Sequence, residues 1–312
     1  PFGPIVQPPS AAQFAAIVSD PFYLRVIGET LALGAGVTAL TVLLGYPLAL
    51  WLTRVPARWR PIAFAVILIP LLTNVVVRSL GIVLLLAPDG LINQVLGLVG
   101  LPPMRGMLYT HGAVAIALAQ VFMPFLVLAL YDVLQGTSPR VHEAAASLGA
   151  SRVTRVFLVD LPLSLPGLRA GIVIVFLMSS TAYVTATLLG GKKVWTTGML
   201  VWQESLQNLN APLASALALV MTVTSTLFAV ATFMIVQRLM PWRSMRAVSA
   251  MSVPGWLTRL FDLLGPPLGK LLLALSLLLL LLPLALVCIQ SFDDVPQATV
   301  AGFRAFTWKW YE

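Results

Sequence analysis

Apolar residues run through this chain in long unbroken blocks, separated by short segments that collect the charged residues, prolines and glycines. Six blocks approach or exceed the ~20 residues that a helix needs to cross the hydrocarbon core of a bilayer: 26–52, 62–86, 112–131, 171–189, 212–236 and 271–289. None shows the period-two alternation of a membrane β-barrel strand. In lipid every backbone N–H and C=O must be paired within the protein, so a chain without barrel strands crosses as helices. The pattern predicts an all-α, polytopic membrane protein of about six transmembrane helices.

Composition sharpens this picture. The 312 residues are 59% hydrophobic and 10% charged, with a mean hydropathy of +0.95, whereas a soluble domain carries about 25% charged residues. The net charge of +8 does not point to nucleic acid, because the basic residues sit in short loops between apolar blocks, as membrane topology requires. Twelve of them fall in the loops 54–60, 132–170 and 237–270. Six, Arg25, Arg105, Lys192, Lys193, Arg304 and Lys309, fall on the other side, and Arg78 lies within a block. The excess of positive charge on cytoplasmic loops therefore puts the 132–170 loop in the cytoplasm and both chain ends outside. The single cysteine, Cys288, lies in an apolar block, so no intrachain disulfide can form.

The 132–170 loop has its own pattern. Ser138 can cap a helix that starts at Pro139, where the missing N–H costs nothing, and runs through Glu143 to Gly149, which accepts a left-handed turn. Ser151 can cap a second short helix ended by Pro162. Two helices at an angle, with Ala144, Ala145, Ala146 and Gly149 near the bend, make a compact knob able to enter a groove on another protein. Glu143-Ala144-Ala145, then Gly149, then nine residues, then Val159, Leu161 and Pro162 is a spacing that resembles the EAA loop of permease subunits in binding-protein-dependent type I ABC importers. The resemblance covers most of residues 11–236. Ile69-Pro70-Leu71-Leu72-Thr73-Asn74, Arg78-Ser79-Leu80-Gly81, Gly90-Leu91-Ile92-Asn93, Leu108-Tyr109-Thr110, Met123-Pro124-Phe125 and Leu188-Leu189-Gly190-Gly191 look like the polyamine and opine branch of that family. Asn210-Ala211-Pro212 departs from it, with Ala211 where the branch more often has tryptophan.

The resemblance implies a multi-pass protein of the bacterial inner membrane, and a translocation path for a small solute such as spermidine or putrescine. It assigns ATPase docking to Glu143, Ala144, Ala145, Gly149, Ser151, Arg152, Leu161 and Pro162. The implied partners are a cytoplasmic ABC ATPase dimer, a second permease unit and an extracytoplasmic solute-binding protein, with ATP hydrolysis carried by the separate ATPase. Both ends outside is unusual for such subunits. Residues 1–250 read as one permease unit lacking its first helix. Residues 251–312, with Ser291-Phe292 and Phe306-Thr307-Trp308-Lys309-Trp310-Tyr311, read as a linker and the first helix of a second unit. The alternative is a six-helix protein with outside termini.

Polar residues within the blocks are candidates for the path. Arg78 costs roughly 2.5–3.5 kcal/mol to insert, so it must face protein or water, with Asn74 one turn earlier on the same face. It either lines the path or bonds carbonyls of a neighbouring helix. The outer half of block 171–189 carries Ser179, Ser180, Thr181, Tyr183, Thr185 and Thr187. Hydroxyls can line a hydrated route or pack helix on helix, and Tyr183 offers both a hydroxyl and an aromatic face to a cation. Asn74, Arg78, Ser180, Tyr183 and Thr185 are the path candidates.

No cofactor is implied. Gly190-Gly191-Lys192-Lys193 lacks the spacing of a phosphate-binding loop, His111 and His142 are predicted on opposite sides of the membrane, and no nucleophile–base pair indicates hydrolysis. An ion-coupled secondary transporter is a rival reading, but its intramembrane carboxylates are missing apart from Glu29 near one end of a block. A membrane scaffold is the other; only the importer requires a stoichiometric ATPase.

Overall fold

The computed structural model describes residues 12–104, 106–147, 149–151, 155–191, 193–239, 255–292 and residue 307. Arg105, Arg152, Lys192, Arg243, Arg246, Arg304, Lys309 and the closing aromatic run apart from Thr307 lie outside the described residues. Those described form helices and connecting turns, with no strand among them.

A short α1 (Ala12–Ser19) leads into α2 (Pro21–Arg54), which begins at Asp20. The Asp20 carboxylate accepts the Phe22 N–H at 2.8 Å and Pro21 fills the first turn, the usual chemistry of a helix start. At 34 residues α2 is about 51 Å long, well beyond the ~30 Å hydrocarbon core. The most deeply packed helix is α6 (His111–Gln135), with 72% of its apolar window buried. It packs between α2 and α8 (Leu161–Thr181). Glycines allow this: Gly45 of α2 meets Leu126 and Met123, and Gly167 of α8 lies directly on the Ala129 carbonyl. Without a hydrophobic drive between helices in lipid, such close backbone approach supplies the attraction.

Six segments among the described residues are long and apolar enough to cross a membrane, the number expected, but the second runs over Val75–Leu98 instead of 62–86, and two predicted blocks are not single helices. Block 62–86 divides into α3 (Arg60–Leu72) and α4 (Val75–Leu86). The Asn74 side chain caps α4 by accepting the Val76 N–H at 2.8 Å, while Thr73 Oγ1 and Arg78 Nη1 both donate to the carbonyl of Pro70. The break is stable because polar side chains replace the lost helical bonds. Block 171–189 starts earlier than predicted and divides at Ala182–Tyr183 into α8 and α9 (Val184–Gly190).

The remaining elements are α5 (Leu91–Leu98), α7 (Pro139–Ser147), α10 (Thr197–Trp202), α11 (Ala211–Leu239) and α12 (Gly255–Gln290). The last helix packs against α2, α3 and α4. Ser276 Oγ donates to Leu44 O at 2.6 Å, and Gln120 Nε2 of α6 donates to Leu280 O at 3.3 Å.

Contacts sort the loops into two ends of the bundle. At one end Arg54, His142 and Asp160 come together. At the other, Tyr109 N–H donates to Leu189 O, Thr30 pairs with Thr197, Phe22 meets Trp195, and His111 approaches Glu29. This is the same partition that the basic residues predict, and it separates His111 from His142.

Candidate functional site

The EAA-like loop is built around one backbone inversion. In α7 the Gly149 N–H donates to Ala146 O at 2.9 Å and the Ala150 N–H to Ala145 O at 3.0 Å, with Gly149 at φ +79°. This pair of bonds closes a helix C-terminus when the next residue turns left-handed, a conformation that favours glycine. Glu143, Ala144, Ala146 and Gly149 are exposed, and Ala145 and Ser151 half-buried. A side chain at 149 would meet nothing within 4 Å. Among the described residues, the exposed Ala144, Ala146 and Gly149 lie beside Glu143 at this bend. Arg152 lies outside the described residues.

Pro162 does not end the second helix of the loop. The Arg155 N–H donates to Ser151 O at 3.0 Å, a π-turn follows over Val156–Asp160, and Pro162 then sits in the first turn of α8, which continues as the membrane helix. The Leu161 N–H still bonds Val156 O, so the coil is continuous through this point, and the N–H that Pro162 lacks falls where the wider π-turn gives way to α-helical winding; the proline is accommodated instead of ending the helix. Leu161 and Pro162 are half-buried at this junction.

Asp160, not singled out from sequence, ties the loop to the bundle. It is 4% exposed. Its Oδ1 lies 3.5 Å from His142 Nε2 on α7, and its Oδ2 3.7 Å from Arg54 Nη2 at the foot of α2. One turn on, the Ser164 and Tyr46 hydroxyls pair at 3.2 Å, again joining α8 to α2. The signal in the sequence was an isolated carboxylate at the edge of an apolar block.

The path candidates divide into four sets. Asn74 and Arg78 both serve the α3/α4 break: Asn74 as the cap, Arg78 (6% exposed) as a donor to Pro70 O. Thr185 is buried and hydrogen-bonded to Ser79 at 3.3 Å, which sets the α8/α9 break beside the α3/α4 break. Ser180 donates to Phe176 O at 2.8 Å and lies against Gly34 of α2. Tyr183 stacks on Trp202, centroids 5.8 Å apart and planes 18° apart, and is 36% exposed. Trp202 closes α10 just before a second π-turn, Gln203–Gln207. Non-helical backbone at membrane depth is tolerated where protein buries it or water reaches it, and here the two breaks lie side by side, joined by the buried Ser79–Thr185 pair. Sequence reading also missed Gln120, a buried amide in the middle of α6, and Asn93, whose side chain organises the 87–104 loop by bonding Pro88 O and Met104 N.

Comparison with known proteins agrees with this architecture. The spermidine/putrescine transport system permease protein PotB of Haemophilus influenzae is 34% identical over 210 residues, covering 67% of this chain and 73% of that protein. PotB of Escherichia coli is 30% identical over 206 residues, covering 65% and 74%. Among solved structures, a bacterial alginate ABC transporter in complex with a pentasaccharide-bound periplasmic protein superposes with a TM-score of 0.57 at 19% identity, over 70% of this chain and 79% of that one. The MetNI methionine ABC transporter gives a TM-score of 0.52 at 18% identity, over 74% and 100%. At such identities these two speak for the fold alone. The family model for the inner membrane component of binding-protein-dependent transport systems matches residues 41–245, which contain the knob, its Asp160 anchor and both helix breaks, and the chain belongs to that family.

Proposed function

We propose that this permease, paired with a second permease unit, forms the path for a small organic cation of the spermidine or putrescine class. A solute-binding protein delivers the substrate outside, and a cytoplasmic ATPase dimer drives the switch in access by gripping the α7–Gly149 knob. The observation that carries this reading is the exposed, small-residue knob with its left-handed Gly149, set at the basic end of the bundle. The similarity to two PotB permeases supports the substrate class.

Within the path, the Tyr183–Trp202 stack offers aromatic faces to an ammonium group, an attraction of about 0.5–2 kcal/mol. The buried Ser79–Thr185 pair holds the two breaks together. Arg78 is bound to the Pro70 carbonyl and holds the break; as a cation it is unsuited to touching a cationic substrate. Residues 251–312 supply the first helix of the second unit, with α12 seated against the first. Neither an ion-coupled transporter nor a scaffold accounts for membership of a binding-protein-dependent family.

The test is reconstitution. Expressed with its ATPase, the permease should co-purify with it in fixed ratio, and the complex should hydrolyse ATP faster when spermidine-loaded binding protein is added. An ATPase that neither co-purifies nor responds would overturn the reading.

A further inference from the structure

We infer that Asp160 is a positioning residue, the latch through which movement of the α7 knob is passed to α2 and α8. The inference rests on the ATPase docking at that knob proposed above, and it names the side chain that makes such docking mechanically effective.

A buried carboxylate is costly unless cations or hydrogen bonds compensate it. Asp160 is compensated from separate elements: one oxygen faces His142 of α7, the other faces Arg54 of α2, and Arg155 on the preceding turn adds positive potential. Among the described residues, the 3.5 Å contact of His142 Nε2 with Asp160 Oδ1 joins α7 to the bundle, an ion pair when His142 is protonated. The rest of α7 is largely exposed. Asp160 also ends a π-turn, an irregularity that occurs often at functional positions. The Tyr46–Ser164 pair makes a second rung between α2 and α8.

α2 then runs unbroken to the opposite end of the bundle. There Thr30 bonds both the hydroxyl (3.1 Å) and the N–H (2.9 Å) of Thr197, and Glu29 pairs with Arg25 at 2.8 Å and approaches His111 at 3.8 Å. A pull on α7 that is transmitted by the two oxygens of Asp160 therefore reaches both ends of the 34-residue α2. With the charge removed, α7 can rock without moving α2.

Two measurements test this on the complete importer in lipid nanodiscs. In the first, ATP hydrolysis is titrated with spermidine-loaded binding protein. Asp160→Asn should lower the maximal stimulated rate about tenfold, a typical coupling strength, while the half-saturating binding-protein concentration changes little. Asp160→Glu should restore most of the rate, and the swap Asp160→Arg with Arg54→Asp should recover more than either single change. In the second, spin labels at Ser147→Cys and Arg58→Cys, with Cys288→Ser, report the distance from α7 to the foot of α2. It should be narrowly distributed in the parent and broad in Asp160→Asn. An unchanged distribution and an unchanged maximal rate would overturn the latch. If Asp160→Asn does not accumulate, His142→Gln and Arg54→Gln carry the same two readouts. Normal stimulation in these variants while Gly149→Trp abolishes it would remove the latch and leave the docking reading standing. Normal stimulation in Gly149→Trp as well would remove the docking reading. The spin-label arm needs no substrate, so it decides the latch even if spermidine is not the solute carried.

Discussion

Gly81 of α4 lies so close to Pro283 of α12 that a Cβ at position 81 would overlap the Pro283 carbonyl oxygen and carbon. Together with Ser276 on Leu44 O and Gln120 on Leu280 O, this contact makes the last helix part of the same bundle as the first. The fit depends on a missing side chain in α4 and on backbone, which cannot swing aside, in α12. Gly81→Leu should therefore push the helices apart, at a cost of about 1–3 kcal/mol or more for overpacking. Thermal unfolding in detergent should shift down, while Gly97→Leu, where nothing lies within 4 Å of a Cβ, should leave it in place.

At Gly149 the demand is different, because the space is open and only φ is unusual. Gly149→Ala should cost about 1–2 kcal/mol for the left-handed conformation, and Gly149→Asn less. Gly149→Trp adds bulk to the tip and should abolish stimulated ATP hydrolysis. Glu143→Lys reverses the charge on the flank and should weaken ATPase retention. Both proteins should still insert, since neither residue lies in a membrane helix. Co-purification and stimulated hydrolysis, measured together, separate these outcomes; wild-type values in both variants would exclude the knob from coupling.

The pairing of Thr30 with Thr197 is buried, and it satisfies the Thr197 N–H at the start of α10. Thr30→Val keeps the shape and strips that N–H of its acceptor, so about 1–3 kcal/mol should be lost. Thr30→Ser should recover most of it. Chemical unfolding of the detergent-solubilised protein checks the ranking Thr, Ser, Val.

Orientation is open to direct labelling. With Cys288→Ser as background, Ser151→Cys should resist a membrane-impermeant thiol reagent in intact cells and react after permeabilisation. Val99→Cys, 70% exposed at the far end, should react in intact cells. The reverse pattern would invert the topology.

For the substrate, uptake of labelled putrescine by cells carrying the complete importer should fall in the presence of excess spermidine. Inhibition by a sugar or an organic anion, with spermidine inert, would reject the cation assignment. Tyr183→Ala should weaken uptake while Tyr183→Phe retains it, since the aromatic face is the proposed contact.

Much of this protein is legible in one dimension. The length of the apolar blocks reports helices because the bilayer leaves backbone groups no other partner. Charge in the loops reports the two ends of the bundle, since lysine and arginine are retained on the cytoplasmic side. The αL turn at Gly149 was readable because glycine after an alanine-rich helix has few other uses. What the sequence could not reveal depends on groups distant along the chain. Block 62–86 breaks at Thr73–Asn74, where Thr73 and Arg78 both bond the Pro70 carbonyl. Pro162 does not stop a helix because the chain before it arrives already coiled as a π-turn and continues through it. Asp160 looks like any loop-edge carboxylate until folding brings Arg54 from 106 positions away to its side. Local pattern determines which segments are helices and which ends face together; only the packed bundle decides where those helices break and which buried charges meet, because the energy of a buried polar group depends on partners that sequence distance does not record.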